Sequence, residues 1–120
     1  MKYILSILSF LLLLTTVTTG FSQNMSEKEW KKRMVGKTLV GHGISLTFNK
    51  NGSMNGTYTN NGKINQVRGS WTYTKSKGYC RNLTIILGDG RIMERGNACQ
   101  KSKFKGNGKV EINNQLFTLK

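Results

Sequence analysis

Ile44-Ser45-Leu46-Thr47-Phe48, Asn49-Lys50-Asn51-Gly52, Ser53-Met54-Asn55-Gly56-Thr57-Tyr58-Thr59: this stretch decides the fold class. Ile44, Leu46 and Phe48 alternate with polar residues, the period-two pattern of a strand with one buried face. Asn51-Gly52 is a hairpin signal, because both residue types accept positive φ. Ser53 to Thr59 then reads as a returning strand that carries Gly56 in its middle.

The same pattern continues downstream. Asn61-Gly62 is a second hairpin signal, and Lys63 to Arg68 followed by Gly69 to Thr74 reads as one long strand bent at Gly69, with Trp71 and Tyr73 on one face. Lys75 to Gly78 turns the chain into Tyr79 to Leu87, the most apolar strand, where Leu83, Ile85 and Leu87 alternate. After Gly88-Asp89-Gly90 come a short strand at Arg91 to Glu94 and another at Ala98 to Phe104. Gly106-Asn107-Gly108 and Asn113-Asn114 separate the last two strands, Lys109 to Ile112 and Leu116 to Leu119. Upstream, Lys37 to Val40 is the first strand. About eight short strands with no helix between them predict a mainly β fold, an antiparallel meander closed or curled into a small, calycin-like barrel.

One helix precedes the strands. Ser26 with Glu29 three residues on is a capping box, and acids in the first turn with bases in the last suit the helix dipole. The helix is expected over Glu27 to Met34, ended by Gly36. Trp30 and Met34, four apart, share the face that would pack on the domain as a lid or plug.

Residues 1–22 follow different rules. Lys2 is a short positive segment, Ile4 to Leu14 is apolar apart from two serines, and Gly20 and Ser22 are small residues at cleavage spacing. This pattern predicts a secretory signal peptide cut after Ser22, with Gly20 as the alternative. The apolar run is shorter than the roughly 20 residues of a spanning helix, so no transmembrane anchor is expected after cleavage. The expected mature chain is a single domain over 23–120, exported to a periplasmic or extracellular location.

Export bears on the cysteines. Cys80 and Cys99 are the only two, and an oxidising compartment favours a disulfide between them. A two-cysteine metal site would lack partners, since His42 is the only histidine and no CxxC spacing occurs; no metal is expected. By loop-closure entropy, such a bond stabilises by about 3 kcal/mol, which matters in a domain with a thin core.

The full chain carries a formal net charge of +14. Without Lys2, 18 bases face Glu27, Glu29, Asp89, Glu94 and Glu111, leaving +13 on the mature chain. That balance points either to an anionic polymer or lipid surface as the class of partner, or to charge that serves solubility alone. The candidate anion-binding residues are Lys75, Lys77 and Arg81 around one turn, with Lys101, Lys103 and Lys105 as a stripe alternating by two. Trp71, Tyr73 and Tyr79 interleave with these bases in a way that suits single-stranded nucleic acid, but core packing explains the same pattern and export argues against that partner. A catalytic set is not discernible. His42 beside two glycines reads as a turn residue, Ser45 and Ser70 have no spacing that singles them out, and Glu94 beside Arg95 reads as a structural ion pair.

Gly36-Lys37-Thr38-Leu39, Gly69-Ser70-Trp71-Thr72-Tyr73, Gly78-Tyr79-Cys80-Arg81, Ala98-Cys99-Gln100 and Gly106-Asn107-Gly108-Lys109-Val110 occur in that order. The series resembles a family of small secreted proteins from marine and related alphaproteobacteria, in which the pattern runs GKTL, GSWTW, GYFCR, a CQ pair, then GN and a final strand. The resemblance covers most of the mature chain, although Tyr73 stands where that family has Trp and the lysine content is higher. Members often carry the label dihydrodipicolinate reductase, so the resemblance implies that enzyme as one alternative. A nicotinamide-dependent reductase uses a Rossmann βαβ unit with a glycine-rich loop. Here Gly41-His42-Gly43 is followed by Leu46 where the third glycine belongs, and no helix pattern follows. The expectation is therefore a non-enzymatic binding or envelope protein with no cofactor. A module docking to anionic polymer or membrane is the first alternative, and the reductase the second.

Overall fold

The computed structural model describes residues 25–120; the expected signal segment and its cleavage point lie outside the described residues. Among the described residues the fold is mainly β, with one short helix and nine antiparallel strands in a single curled sheet. Helix α1 spans Glu27–Met34. The strands are β1 Thr38–Gly41, β2 Ile44–Phe48, β3 Ser53–Asn60, β4 Lys63–Thr74, β5 Gly78–Ile86, β6 Ile92–Gln100, β7 Ser102–Gly106, β8 Lys109–Ile112 and β9 Gln115–Leu119.

The sheet order is β6-β5-β4-β3-β2-β1-β9-β8-β7. Every pair is a hairpin except β1 with β9, which joins the two ends of the domain. The edge strands β6 and β7 are consecutive in the chain, joined through Lys101 alone. The sheet therefore curls back on itself as a half-barrel, with a corner of the chain where one more ladder would have closed it.

Curvature has a local cause. Gly56 and Gly69 lie where the neighbouring backbone comes close: a Cβ on Gly56 would stand 1.7 Å from the Ser45 carbonyl oxygen, and one on Gly69 2.0 Å from that of Asn82. Only glycine permits such an approach inside a strand. The bend expected at Gly69 therefore falls within an unbroken β4.

Four tight turns share one backbone conformation. His42-Gly43, Asn61-Gly62, Asn107-Gly108 and Asn113-Asn114 all have positive φ at both residues, as a two-residue hairpin whose twist matches the strands requires. His42 holds the place that asparagine takes in the other three. Asn51-Gly52 departs from the expected two-residue turn. It ends a four-residue loop, in which the Asn51 side-chain oxygen accepts hydrogen bonds from the Ser53 backbone N–H and hydroxyl. The side chain thus replaces a backbone turn.

The register puts Leu39, Leu46, Phe48, Met54, Val67, Trp71, Tyr73, Tyr79, Ile85, Val110, Ile112 and Phe117 on the concave face, where all are buried. Helix α1 closes one end of that face. The Ser26 hydroxyl accepts from the Glu29 N–H at 3.2 Å, as the capping box predicts. Trp30, 1% exposed, stacks on Tyr73 at 4.8 Å and Tyr79 at 5.6 Å and meets Phe48 edge-on. Its indole N–H donates to the Ser102 hydroxyl at 3.1 Å, tying the helix to β7 as well. The Tyr73 hydroxyl donates to the Met25 carbonyl at 2.7 Å, just ahead of the helix. The helix is thus a plug at one end of the half-barrel.

The downstream region differs from the sequence expectation. Arg91 to Glu94 and Ala98 to Phe104 were expected as two strands. Instead Ile92–Gln100 is one strand carrying a β-bulge, and the break falls at Lys101. Cys80 and Cys99 face each other across β5 and β6 and form the expected disulfide, with Cα atoms 3.9 Å apart. Among the described residues, no helix is long and apolar enough to cross a membrane.

Candidate functional site

At the end of the half-barrel away from the plug, the concave face opens into a cleft of about 550 Å³. Its apolar lining is Ile44 and Leu46 of β2, Val67 of β4, Leu83 and Ile85 of β5, and Met93 of β6. Met93 is 41% exposed, an apolar side chain on the open wall. The volume lies within the usual range for small-molecule sites, which combine apolar walls with a few polar groups.

The polar groups are uneven in sign. Arg81, Arg95 and His42 line the cleft with the uncharged Tyr58, Asn60 and Gln115, and no carboxylate does. Three of the five acids are paired elsewhere: Glu27 with Lys31, Glu29 with Arg33 and Asp89 with Arg91. Hydrogen bonds from the Arg91 backbone and side chain hold the Asp89 carboxyl below its ordinary range. Glu94 and Arg95 do not form the expected ion pair. Glu94 opposes Thr84, while Arg95 is the extra residue where the β5–β6 register shifts between Leu83 and Thr84.

That shift aims Arg95 into the cleft. Leu83 pairs with Gly96 and Thr84 with Glu94, so Arg95 and Gly96 together oppose one residue. Gly96 has φ of +68°, the backbone state a glycine-bearing bulge uses. Bulges of this kind re-aim a side chain. Arg81, two ladder positions away opposite Ala98, donates from Nη1 to the Gly96 carbonyl at 3.1 Å. Two arginines thus line the cleft from the β5–β6 wall, one of them holding the bulge.

The other sequence-selected bases lie elsewhere. Lys75 and Lys77 form the β4–β5 turn and, with Lys101, line a small pocket of about 140 Å³ beside Tyr73 and Ser102. The structure brings these three together. Arg81 leaves the group, because the strand period turns it onto the concave face. Lys103 stands opposite Glu111 across β7 and β8, and Lys105 sits in the irregularity between Phe104 and Gly106, so the stripe of three is broken. Trp71, Tyr73 and Tyr79 are buried around Trp30 and offer no stacking platform to a base. Burial raises the pKa of both tyrosines, most for Tyr79, against a smaller lowering effect of Arg81.

His42 Nε2 lies 3.1 Å from the Leu116 carbonyl and its ring packs edge-on to Phe117. Ser45 and Ser70 alternate away from the concave face. Neither hydroxyl meets the imidazole.

Sequence reasoning found Arg81 by its charge and missed Arg95. The available signal was Arg95-Gly96 interrupting an edge strand. No family model, no curated protein and no solved structure matches this chain.

Proposed function

We propose that this chain is an exported, non-enzymatic binding domain that holds a small, largely apolar ligand in the cleft of its half-barrel. One observation carries the reading: an apolar-walled cleft of about 550 Å³ at the end that the helix leaves open. The export half rests on the signal-like residues 1–22 and agrees with the Cys80–Cys99 bond, since disulfides persist in oxidising compartments. The non-enzymatic half is supported by His42, which serves a turn and bonds to a backbone carbonyl.

The test is titration of the mature protein with N-phenyl-1-naphthylamine, a neutral probe that brightens in apolar surroundings. Saturable binding at one site per chain is expected, and Met93→Trp, which fills the open wall, should abolish it. Absence of saturable binding, or binding unchanged by Met93→Trp, would refute the reading.

A second reading, docking to anionic polymer or a membrane surface, is favoured by the convergence of Lys75, Lys77 and Lys101. Phosphate-type binding weakens steeply with salt. Replacing these three by Gln should then cost far more heparin retention than replacing Lys28, Lys31 and Lys32. Equal losses would reduce the pocket to its share of the net charge.

A further inference from the structure

We infer that the cleft selects a single-chain amphiphile with a carboxylate head group, bound by Arg81 and Arg95; the inference rests on the cleft being a ligand site. Both arginines line a cavity whose lining contains no acid, and neither forms an ion pair with a carboxylate among the described residues. Two like charges on one wall repel each other, and an anion between them removes that cost. A guanidinium presents a planar fork of donors that matches a carboxylate in two parallel hydrogen bonds.

The geometry provides for this on both residues. Arg81 is steadied through its Nη1 bond to the Gly96 carbonyl, which leaves its other N–H groups for a ligand. Arg95 reaches the cleft because of the bulge; in an unbroken ladder, alternation would not place it beside Gly96 opposite Leu83. Gly96 contributes no side chain between the two.

The rest of the cleft accounts for the tail. From Leu83 beside the arginines the wall continues through Ile85, its ladder partners Val67 and Met93 on either side, and Leu46 and Ile44 of β2 complete the apolar lining. Apolar area of this kind, with Met93 open to solvent, gains by being covered with a hydrocarbon chain. A neutral apolar ligand would leave the two charges unpaired, and a short anion such as acetate would leave the wall uncovered. A cationic amphiphile meets repulsion. Only a molecule with both parts satisfies both halves of the site.

The experiment is displacement of N-phenyl-1-naphthylamine by laurate, dodecanol and dodecylamine, which share one tail and differ in head group, each below its aggregation limit. Laurate should displace the probe at least about tenfold more tightly than dodecanol, the scale of a charge-assisted hydrogen bond. Dodecylamine should be the weakest. Arg95→Gln, at an exposed position, should reduce laurate affinity about tenfold or more and leave dodecanol unchanged; Arg81→Gln should do the same provided its circular dichroism matches the parent. Lys28→Gln with Lys32→Gln, on the helix, should leave laurate binding as it was, which separates a site from a net-charge effect. If the probe binds but laurate and dodecanol compete equally, or Arg95→Gln affects both alike, the carboxylate assignment is overturned while the cleft remains a ligand site. If the probe itself fails to bind, both readings fall together.

Discussion

Trp30→Ala tests whether the helix is a structural plug or a detachable lid. The indole is 1% exposed, packs against Phe48, Trp71, Tyr73 and Tyr79 with centroid separations of 4.8 to 6.0 Å, and donates to Ser102. Truncating such a side chain removes its apolar burial and leaves a cavity, together costing about 3–5 kcal/mol. A domain of this length has about 5–15 kcal/mol in total. Each kcal/mol corresponds to about 4–8 °C in melting temperature at this size, so the variant should melt about 12–40 °C lower. The assay is near-ultraviolet circular dichroism on heating, where the aromatic cluster gives the signal. Trp30→Phe keeps a ring in the cluster and loses the bond to Ser102, and should fall by less than half as much. A drop below about 5 °C for Trp30→Ala would show that the barrel holds without its helix, and the plug argument would fail.

The other predictions concern the staple, alkaline pH, curvature and export. The double variant Cys80→Ser, Cys99→Ser should lose about 2–5 kcal/mol in urea unfolding, with hydrogen exchange rising most in β6, which pairs only with β5; equal midpoints for the oxidised parent and the variant would remove the bond's structural role. Burial raises the Tyr79 pKa, so the folded state favours the neutral phenol: this contribution is intact below pH 10 and declines as pH climbs above it. Tyr79→Phe should therefore unfold at higher pH than the parent, and coincident alkaline transitions would count against it. Gly56→Ala should destabilise strongly, because its Cβ meets the Ser45 carbonyl, whereas Gly88→Ala, in open space, should be close to neutral in the same thermal melt. Similar melting temperatures for the two would contradict the curvature argument. Mass spectrometry of the exported protein should find its first residue at Gln23 or within a few positions; an intact Met1 would refute the signal peptide.

Legibility varied with the physical signal each element carries. Helix α1 could be read to the residue because its capping box, charge order and Trp30–Met34 spacing agree. Strands β2 and β8 were equally clear: each has a buried face to impose alternation, and Gly or Asn turns mark out their ends. Strand β6 was not, because it is an edge: Ile92 to Asn97 are all exposed, so no face imposes a pattern and the Arg95-Gly96 interruption reads as the gap between two strands. The same blindness ran Ala98 to Phe104 through the corner at Lys101. For the cleft, charge pointed to Arg81 but spacing grouped it with the turn lysines, since a list of bases does not say which face each one takes. Arg95 entered the site only through the bulge, a register fact that pairing reveals and a single strand does not.

The pairing of β1 with β9 has a consequence for the order of folding. Thr38 and Lys120 exchange backbone hydrogen bonds, each N–H donating to the other's carbonyl at 3.0 Å, so the second edge of the first strand is completed only by the last strand of the sheet in chain order. All the other ladders are hairpins between sequence neighbours, which close early because their loops are short. The β1–β9 ladder must bring the two ends of the domain together. A chain emerging N-terminus first would form its hairpins one after another yet stay unclosed, with the second edge of β1 unpaired, until β9 is free. Removing Leu116–Lys120 should leave such an unclosed state, visible as dye-binding β structure without a cooperative melt; a cooperative transition in the shortened chain would show that closure is dispensable.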